Sequence, residues 1–291
     1  MPPVPRVERI ARFLVTGLVF GWLAYTLTSW FLAWNPADAR AYYLAAERLR
    51  DGDPLYPAMH PDAHEVFRYA PWFAVAFLPL TLLPIEVATH VWSLLMLACA
   101  LLAVVPVIRL GGRAAVALAA LLGALLAETA MFGNAHPLVV ALLSWTIARP
   151  SAPWWIGVAT SIKLVPIAFV LPWLRLGRIR DALLAVGTAA LLFAPMLAFD
   201  LANYVTSPGT GLVSVFAASP ALWAISALAA VVAMVALWIR GSPYAYVAAG
   251  AAMFLVPPRV STAYLAFLLP ATVAAIAQMR EHRASRGRTN E

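Results

Sequence analysis

Long apolar runs separated by short polar breaks are the dominant pattern of the chain, and they recur from Leu14 to Met279. Several of these runs approach the ~20 residues that an α-helix needs to cross the hydrocarbon core of a bilayer. The pattern therefore predicts an all-α, polytopic membrane protein with about ten transmembrane helices. The predicted spans are 13–34, 86–108, 114–130, 138–148, 154–162, 165–174, 183–199, 221–239, 244–256 and 261–279.

Two stretches of this pattern need separate interpretation. The arms on either side of Lys163 are short, and a re-entrant pair over 153–174 would reduce the number of spans to about eight. Segment 71–83 is apolar but reaches only ~20 Å as a helix, and Pro79 interrupts it. We expect it to lie on the outer membrane interface, so that residues 35–84 form an outer loop of interfacial helices.

Arginine residues collect at alternate ends of the predicted spans. Three precede the first span and two follow the second, namely Arg6, Arg9, Arg12, Arg109 and Arg113. Because positively charged loops stay in the cytoplasm, the sequence predicts a multi-pass protein of the plasma (inner) membrane with both termini cytoplasmic. The first run is too long for a signal-peptide core and is interpreted as a retained span. We expect one transmembrane domain, 1–279, and a basic, disordered cytoplasmic tail, 280–291.

Composition agrees with this interpretation. The chain is 63% hydrophobic and only 11% charged, whereas a soluble domain carries about 25% charged residues. The net charge of +7 does not indicate a nucleic-acid partner, because the arginines mark the ends of spans. No nucleotide-binding motif occurs, and no cofactor is predicted. The single cysteine, Cys99, cannot form an internal disulfide.

A polar island between Asn35 and Pro71 interrupts the apolar pattern and holds six of the thirteen carboxylates. Asn35 is a good N-cap, Pro36 suits a first helical position, and Asp38 would follow at N3 as in a capping box. The predicted helix ends near Gly52, and Asp38 and Tyr42 share one of its faces. An ionisable island against a membrane is where chemistry is expected.

Asp38 and Lys163 are the leading chemical candidates, and each has two interpretations. Asp38 could act as a general base, or it could stabilise the helix dipole from the first turn. Lys163 is the only lysine and lies in an apolar segment. It could bind an anion such as phosphate, or extend its ammonium to the interface from a short helix end.

Six further residues have polar or charged side chains that need an explanation. Arg68 and Arg259 are predicted on the outer face against the positive-inside trend, where they could bind phosphate or pair with the acidic loop. Asn134 and His136 stand at a span end, where they could cap a helix or contact substrate. His60 and His64 lie near acidic residues in the sequence, but together they do not form a complete set of metal ligands, so no metal site is predicted.

Several short motifs together resemble the GT-C polyprenyl-phosphate-dependent glycosyltransferases. More narrowly, the chain resembles a shortened member of the mycobacterial-type alpha-mannosyltransferase family that elongates phosphatidylinositol mannosides. The motifs are Asp38-x-x-x-Tyr42-Tyr43, Gly52-x-Pro54-x-Tyr56, Tyr69-x-Pro71, Gly133-Asn134 and Ile162-Lys163-Leu164-x-Pro166. One departure is that the histidine-containing outer motif of that family is replaced by a stretch from Pro258 to Tyr264.

The resemblance implies a GT-C-like fold and an inverting transfer on the outer face, with Asp38 as the catalytic base. A polyprenyl-phosphate sugar, usually mannose, would be the donor, and a lipid-linked molecule or a glycan would be the acceptor. The protein would also contact the membrane lipids around it. We expect Lys163, Arg68 and Arg259 to bind the donor phosphate, and five residues to contact substrate, namely Tyr42, Tyr43, Tyr69, Asn134 and His136. Two alternatives stay open: a transporter or flippase for a lipid-linked sugar, and a non-catalytic GT-C-like membrane partner.

Overall fold

A computed structural model describes residues 34–58, 66–148, 152–204, 215–258 and 260–288, together with part of 13–28. The chain is helical in these ranges and forms no β-strand there, which confirms the all-α prediction. The α-helices are α1 (Ala37–Asp51), α2 (Pro71–Phe77), α3 (Ile85–Gly111), α4 (Val116–Met131), α5 (His136–Ala148), α6 (Trp154–Ile162), α7 (Val170–Arg175), α8 (Ile179–Phe193), α9 (Val215–Ala218), α10 (Pro220–Ile239), α11 (Tyr244–Leu255) and α12 (Leu268–Arg288).

Short 3₁₀ segments extend or join several of these helices. They cover Leu78–Leu82, Gly112–Ala115, Val165–Phe169, Ala194–Ala198 and Thr262–Phe267. With these extensions, four helical stretches are long and apolar enough to cross a membrane, namely Ile85–Gly111, Ile179–Ala198, Pro220–Ile239 and Thr262–Arg280. The remaining apolar helices are shorter, so the total of about ten spans stays a prediction.

The break predicted at Lys163 is present. Helix α6 ends at Ile162 and Lys163 adopts an extended conformation, with φ −139° and ψ 124°. A 3₁₀ segment that includes Pro166 follows and leads into α7. Because proline lacks an N–H and restricts the residue before it, the sequence cannot continue α6 as a regular helix through this point.

The prediction of a disordered tail is wrong for residues 280–288, because α12 continues to Arg288. Arginine, glutamate and alanine make up six of its nine residues, and all three favour helix. An apolar helix therefore propagates into the polar tail without a stop signal until Gly287.

A side chain from α5 compensates for the proline inside α3. Pro106 has no N–H to donate to the carbonyl of Leu102, one helical turn earlier. The indole Nε1 of Trp145 donates to that carbonyl oxygen at 3.0 Å instead. In a membrane an unpaired backbone group costs several kcal/mol (about 4–8 on an alkane scale), so this bond couples α3 to α5.

Aromatic packing holds α1 and α2 against the start of α3. Tyr42 is only 1% exposed and lies at the centre of a cluster of rings. The centroids of five neighbouring rings lie between 5.0 and 6.5 Å from that of Tyr42, and they belong to Phe67, Tyr69, Phe73, Phe77 and Trp92. Such edge-to-face contacts add about 0.5–1.5 kcal/mol each to the burial of the rings. The cluster fixes the position of Asp38, which is one turn before Tyr42 on α1.

Candidate active site

The candidate site forms where the first turn of α1 meets the turn between α4 and α5. The backbone N–H of Asp38 donates to the carbonyl oxygen of Phe132 at 3.0 Å. Gly133 has φ +68°, and a Cβ on it would lie 2.5 Å from the Cβ of Ala39. Both the left-handed conformation and the close approach require glycine here. The indole of Trp92 donates to the carbonyl oxygen of Gly133 at 2.8 Å and fixes the turn.

A hydrogen bond from Asn134 orients the carboxylate of Asp38. The amide Nδ2 of Asn134 donates to Oδ2 of Asp38 at 2.8 Å. The other side of the amide is fixed as well, because Oδ1 of Asn134 accepts the backbone N–H of His136 at 2.9 Å. Asn134 therefore caps the start of α5 and holds the acid at the same time.

The predicted capping box at the start of α1 is wrong. Helix α1 begins at Ala37 after Pro36, and no side chain caps its N-terminus. Asn35 is exposed, and the carboxylate of Asp38 turns towards Asn134 instead of back along its own helix. A contact between distant parts of the chain thus replaces the local motif that the sequence suggested.

Burial and charge act in opposite directions on Asp38. Burial raises the pKa of its carboxyl, whereas the hydrogen bond from Asn134 and the positive charges of Lys163 and Arg68 lower it; the pKa remains above its ordinary value of 3.8. Asp38 is therefore a stronger base than an exposed aspartate, and two cations lie close enough to act on it.

Lys163 carries the first of these cations. Its Nζ lies 4.8 Å from the centroid of the Tyr264 ring, a distance suited to a cation–π contact. Within the described ranges Lys163 forms no salt bridge with a carboxylate. Its ammonium is thus placed near Asp38 without being neutralised by a direct ion pair.

The ring beneath Lys163 is supported by His136. The rings of His136 and Tyr264 stack with centroids 5.3 Å apart, and His136 is 1% exposed. Nε2 of His136 lies 2.8 Å from the carbonyl oxygen of Ala263, so Nε2 carries the proton and donates. Its Nδ1 is buried and has no hydrogen-bond partner in the described part of the chain.

Arg68 supplies the second cation. Its backbone carbonyl accepts a hydrogen bond from the hydroxyl of Tyr204 at 3.1 Å. Its Nε is buried and has no partner among the described residues. The guanidinium therefore retains a donor for an anionic ligand.

The three predicted tyrosines separate into two groups. The hydroxyl of Tyr42 donates to that of Tyr69 at 2.8 Å and accepts the N–H of Ala135 at 3.4 Å. Both rings lie beside Asp38, whose charge acts on each of them. Tyr43 instead donates to the carbonyl oxygen of Leu83 at 2.9 Å and fastens α1 to the segment just before α3. Its predicted substrate contact has no support from this geometry.

The structure thus brings together most of the residues selected from the sequence, namely Asp38, Asn134, Lys163, Arg68, Tyr42 and Tyr69, with His136 beneath Tyr264. Arg259, His60 and His64 lie outside the described residues. Sequence reasoning missed Tyr264 and the role of Trp92. The proximity of Tyr264 to a predicted span start was the one available signal for it. In the ranges that the structure covers, no three histidine, cysteine or acidic side chains are grouped so as to hold a metal ion.

A helical membrane protein with a partly buried carboxylate, two nearby cations and aromatic walls is suited to transferring a group from a phosphate-bearing lipid. Comparison with known proteins specifies the class: the chain belongs to glycosyltransferase family 87, whose family model matches residues 67–258. No solved structure matches the chain.

A curated relative comes from Mycolicibacterium smegmatis (strain ATCC 700084 / mc(2)155). It is a polyprenol-phosphate-mannose-dependent alpha-(1-2)-phosphatidylinositol pentamannoside mannosyltransferase, 32% identical over 215 residues. The match covers 67% of this chain and 50% of the relative. The chain therefore spans about half the length of this curated relative.

Proposed function

We propose that this protein transfers a sugar, mannose as in the relative, from a polyprenyl-phosphate donor to a hydroxyl of a lipid-linked or glycan acceptor. Membership of glycosyltransferase family 87 and the donor named for the relative support the class of reaction. The single observation that carries the proposal for this chain is the carboxylate of Asp38, held by Asn134 with Lys163 and Arg68 nearby.

In the proposed reaction Asp38 removes the proton of the acceptor hydroxyl. The oxygen attacks C1 of the sugar from the face opposite the donor phosphate, so a new C1–O bond forms as the bond from C1 to the phosphate oxygen breaks. The anomeric configuration is inverted, and the polyprenyl phosphate leaves with the bonding electrons. The raised pKa of Asp38 favours its role as the proton acceptor.

Lys163 and Arg68 would bind the phosphate and stabilise the charge that develops on it as it leaves. Both cations lack an ion pair in the described part of the chain, so their charges are available to an anion. Arg259 would add a third cation. Asn134 would keep Asp38 in position, and Tyr69 and Tyr42 would form a wall beside the sugar.

We place this site on the outer face of the plasma membrane, because the positive-inside rule assigns the arginine-rich span ends to the cytoplasm. Asp38 follows the first predicted span directly and is thus within reach of a lipid donor. The polyprenyl tail would lie among membrane lipids next to the short helices α6 and α7.

An assay with purified protein and a radiolabelled polyprenyl-phosphate mannose tests the proposal. We expect transfer of label to lipid acceptors extracted from a mycobacterial membrane. Movement of the labelled lipid between leaflets without transfer would indicate a flippase. Donor binding with neither transfer nor movement would indicate a non-catalytic partner.

A further inference from the structure

A second polar cleft lies at the opposite end of the helices from Asp38. Helices α10 and α11 meet there, next to the end of α7. The cleft has a volume of about 240 Å³. Its polar lining comes from Arg175, Arg240, Trp238, Ser242 and Gln278.

This cleft is separate from the candidate active site. Lys163 and Arg175 lie at the two ends of the segment formed by Val165–Phe169 and α7. Helix α11 begins at the cleft and runs 12 residues towards the turn before Tyr264, roughly 18 Å along its axis. No residue that lines the cleft belongs to the group around Asp38.

The two arginines in the cleft differ from others at the same end of the protein. Arg178 pairs with Asp181 at 2.7 Å, and Arg280 donates to the carbonyl oxygen of Leu110 at 2.5 Å. In the ranges that the structure describes, neither Arg175 nor Arg240 has a salt bridge. Two guanidinium groups in one cleft without a carboxylate leave a positive charge that an anion would offset.

The missing side chain of Gly241 allows one of these arginines to approach the backbone closely. Gly241 has φ +68°, and a Cβ on it would lie 3.0 Å from Nε and 3.1 Å from Nη2 of Arg175. The guanidinium of Arg175 therefore packs directly over the glycine, next in sequence to Arg240.

Trp238 also lines the cleft, and its buried indole donor, Nε1, has no acceptor among the residues that the structure describes. A buried donor left unpaired is costly, and an oxygen-rich anion would accept from it. Ser242 already accepts the N–H of Tyr244 at 3.3 Å, so its own hydroxyl proton is free to point towards a ligand.

We propose that this cleft binds a phosphate group, and that its source is the headgroup of an anionic phospholipid in the leaflet opposite the candidate active site. Basic pockets between membrane helices on the cytoplasmic side bind such headgroups, and the arginine distribution predicts that this end faces the cytoplasm. The forked guanidinium donors suit two phosphate oxygens, and the indole of Trp238 suits a third.

Native mass spectrometry of the full-length chain, purified in detergent, tests the site. The probes are phosphatidylglycerol and phosphatidylcholine with the same acyl chains, because they differ in net charge. We expect the wild type to prefer phosphatidylglycerol and R175Q/R240Q to lose at least about tenfold in affinity for it. The matched control, R109Q/R180Q, removes two arginines outside the cleft and should retain the preference.

A second variant separates a built site from diffuse surface charge. W238F keeps the ring and the net charge but removes the indole N–H, and it should weaken binding of phosphatidylglycerol. Equal weakening in R175Q/R240Q and in the control, or unchanged binding in both cleft variants, would overturn the proposal.

Titration with inorganic phosphate distinguishes the sources of the ligand. Phosphate that fails to displace phosphatidylglycerol identifies a lipid site. Displacement that depends on Arg175 and Arg240 supports the same phosphate site and extends it to soluble anions. Neither result depends on sugar transfer, so failure of the proposed enzymatic function would leave this test intact.

Discussion

At the level of single residues, Asp38 combines a raised pKa with a fixed orientation of its carboxylate. Its pKa is raised by burial, and Asn134 fixes one carboxylate oxygen. The folded protein therefore binds a proton at this residue more tightly than the unfolded chain does. Stability that depends on this group is greatest at low pH and decreases as pH rises through the range between 3.8 and the folded-state pKa.

The first prediction concerns Asp38→Asn. We expect turnover to fall by about 10²-fold or more, since the proton acceptor is lost. The melting temperature at neutral pH should not fall, because the substitution removes a partly buried ionised group and an asparagine oxygen can still accept from Asn134. Transfer assays and thermal melts in detergent measure the two effects.

The pH profile adds a check on the same variant. In the wild type kcat/KM should decrease on the acid side at a pH above 3.8, the ordinary value for aspartate, and this decrease should disappear from any residual activity of Asp38→Asn. The control is Asp51→Asn, which removes an exposed acid from the same helix and should leave turnover unchanged. Near-normal turnover of Asp38→Asn would exclude it as the base.

The second prediction concerns Lys163→Met. Lys163 contacts the ring of Tyr264 but has no carboxylate partner in the described ranges. Because the substitution leaves no carboxylate unpaired, we expect the ligand-free variant to be no less stable than the wild type. Polyprenyl phosphate should raise the melting temperature of the wild type but not that of the variant. Lys163→Arg should restore little, because a planar guanidinium does not replace a compact ammonium.

Two results would contradict the phosphate role of Lys163. One is a ligand-induced rise in melting temperature that survives intact in Lys163→Met. The other is destabilisation of the ligand-free variant by ~3–5 kcal/mol, which is expected when a buried carboxylate loses its partner.

At the level of helices, the bond from Trp145 to the carbonyl oxygen of Leu102 provides the third prediction. Trp145→Phe leaves that oxygen without a donor, and we expect a loss of about 1–3 kcal/mol in the free energy of unfolding. Pro106→Ala supplies a backbone N–H that can donate to the carbonyl oxygen of Leu102, one helical turn earlier. In the double variant Trp145→Phe should therefore cost less, and denaturant titrations of the four proteins in the cycle measure this coupling. An equal cost in both backgrounds would show that packing of the indole, and not its N–H, is responsible.

Helices and breaks were largely predictable because their causes are local. Pro166 and Lys163 mark the interruption between α6 and α7, and Gly52 marks the end of α1, where it takes φ +79°. The start of α1 was not predictable in detail, since Asn35 and Asp38 satisfy a local capping rule that the contact with Asn134 overrides. The extension of α12 shows the opposite case, in which polar composition suggested disorder although helix propensity was high.

For the whole molecule, the sequence identified the members of the candidate site but not their arrangement. Asp38, Asn134 and Lys163 are conspicuous as polar residues in apolar surroundings. Their proximity depends on Gly133, whose missing side chain leaves room for Ala39. The periodicity of apolar residues in the sequence does not predict such a contact. Tyr264 was overlooked because an aromatic residue at a span end is usual at membrane interfaces.

Membrane orientation gives the fourth prediction. In a Cys99→Ala background, Asp53→Cys should react with an impermeant maleimide added to intact cells, since Asp53 is exposed just after α1, which we expect to lie on the outer face. Arg180→Cys, exposed at the start of α8, should react only after the membrane is permeabilised. Labelling of Arg180→Cys from outside would reverse the proposed orientation of α7 and α8.

The hydrogen bond between Asp38 and Asn134 joins positions 96 residues apart, and this separation has a consequence in time. At a synthesis rate of about 5–20 residues per second, roughly 5–20 s pass between the appearance of the two residues at the ribosome. During that interval the acid lacks the amide that orients it and the turn at Gly133 that encloses it. A ribosome-bound nascent chain that ends before Gly133 would therefore carry Asp38 without the amide of Asn134, and the carboxylate would gain its fixed orientation only after the turn between α4 and α5 has been synthesised.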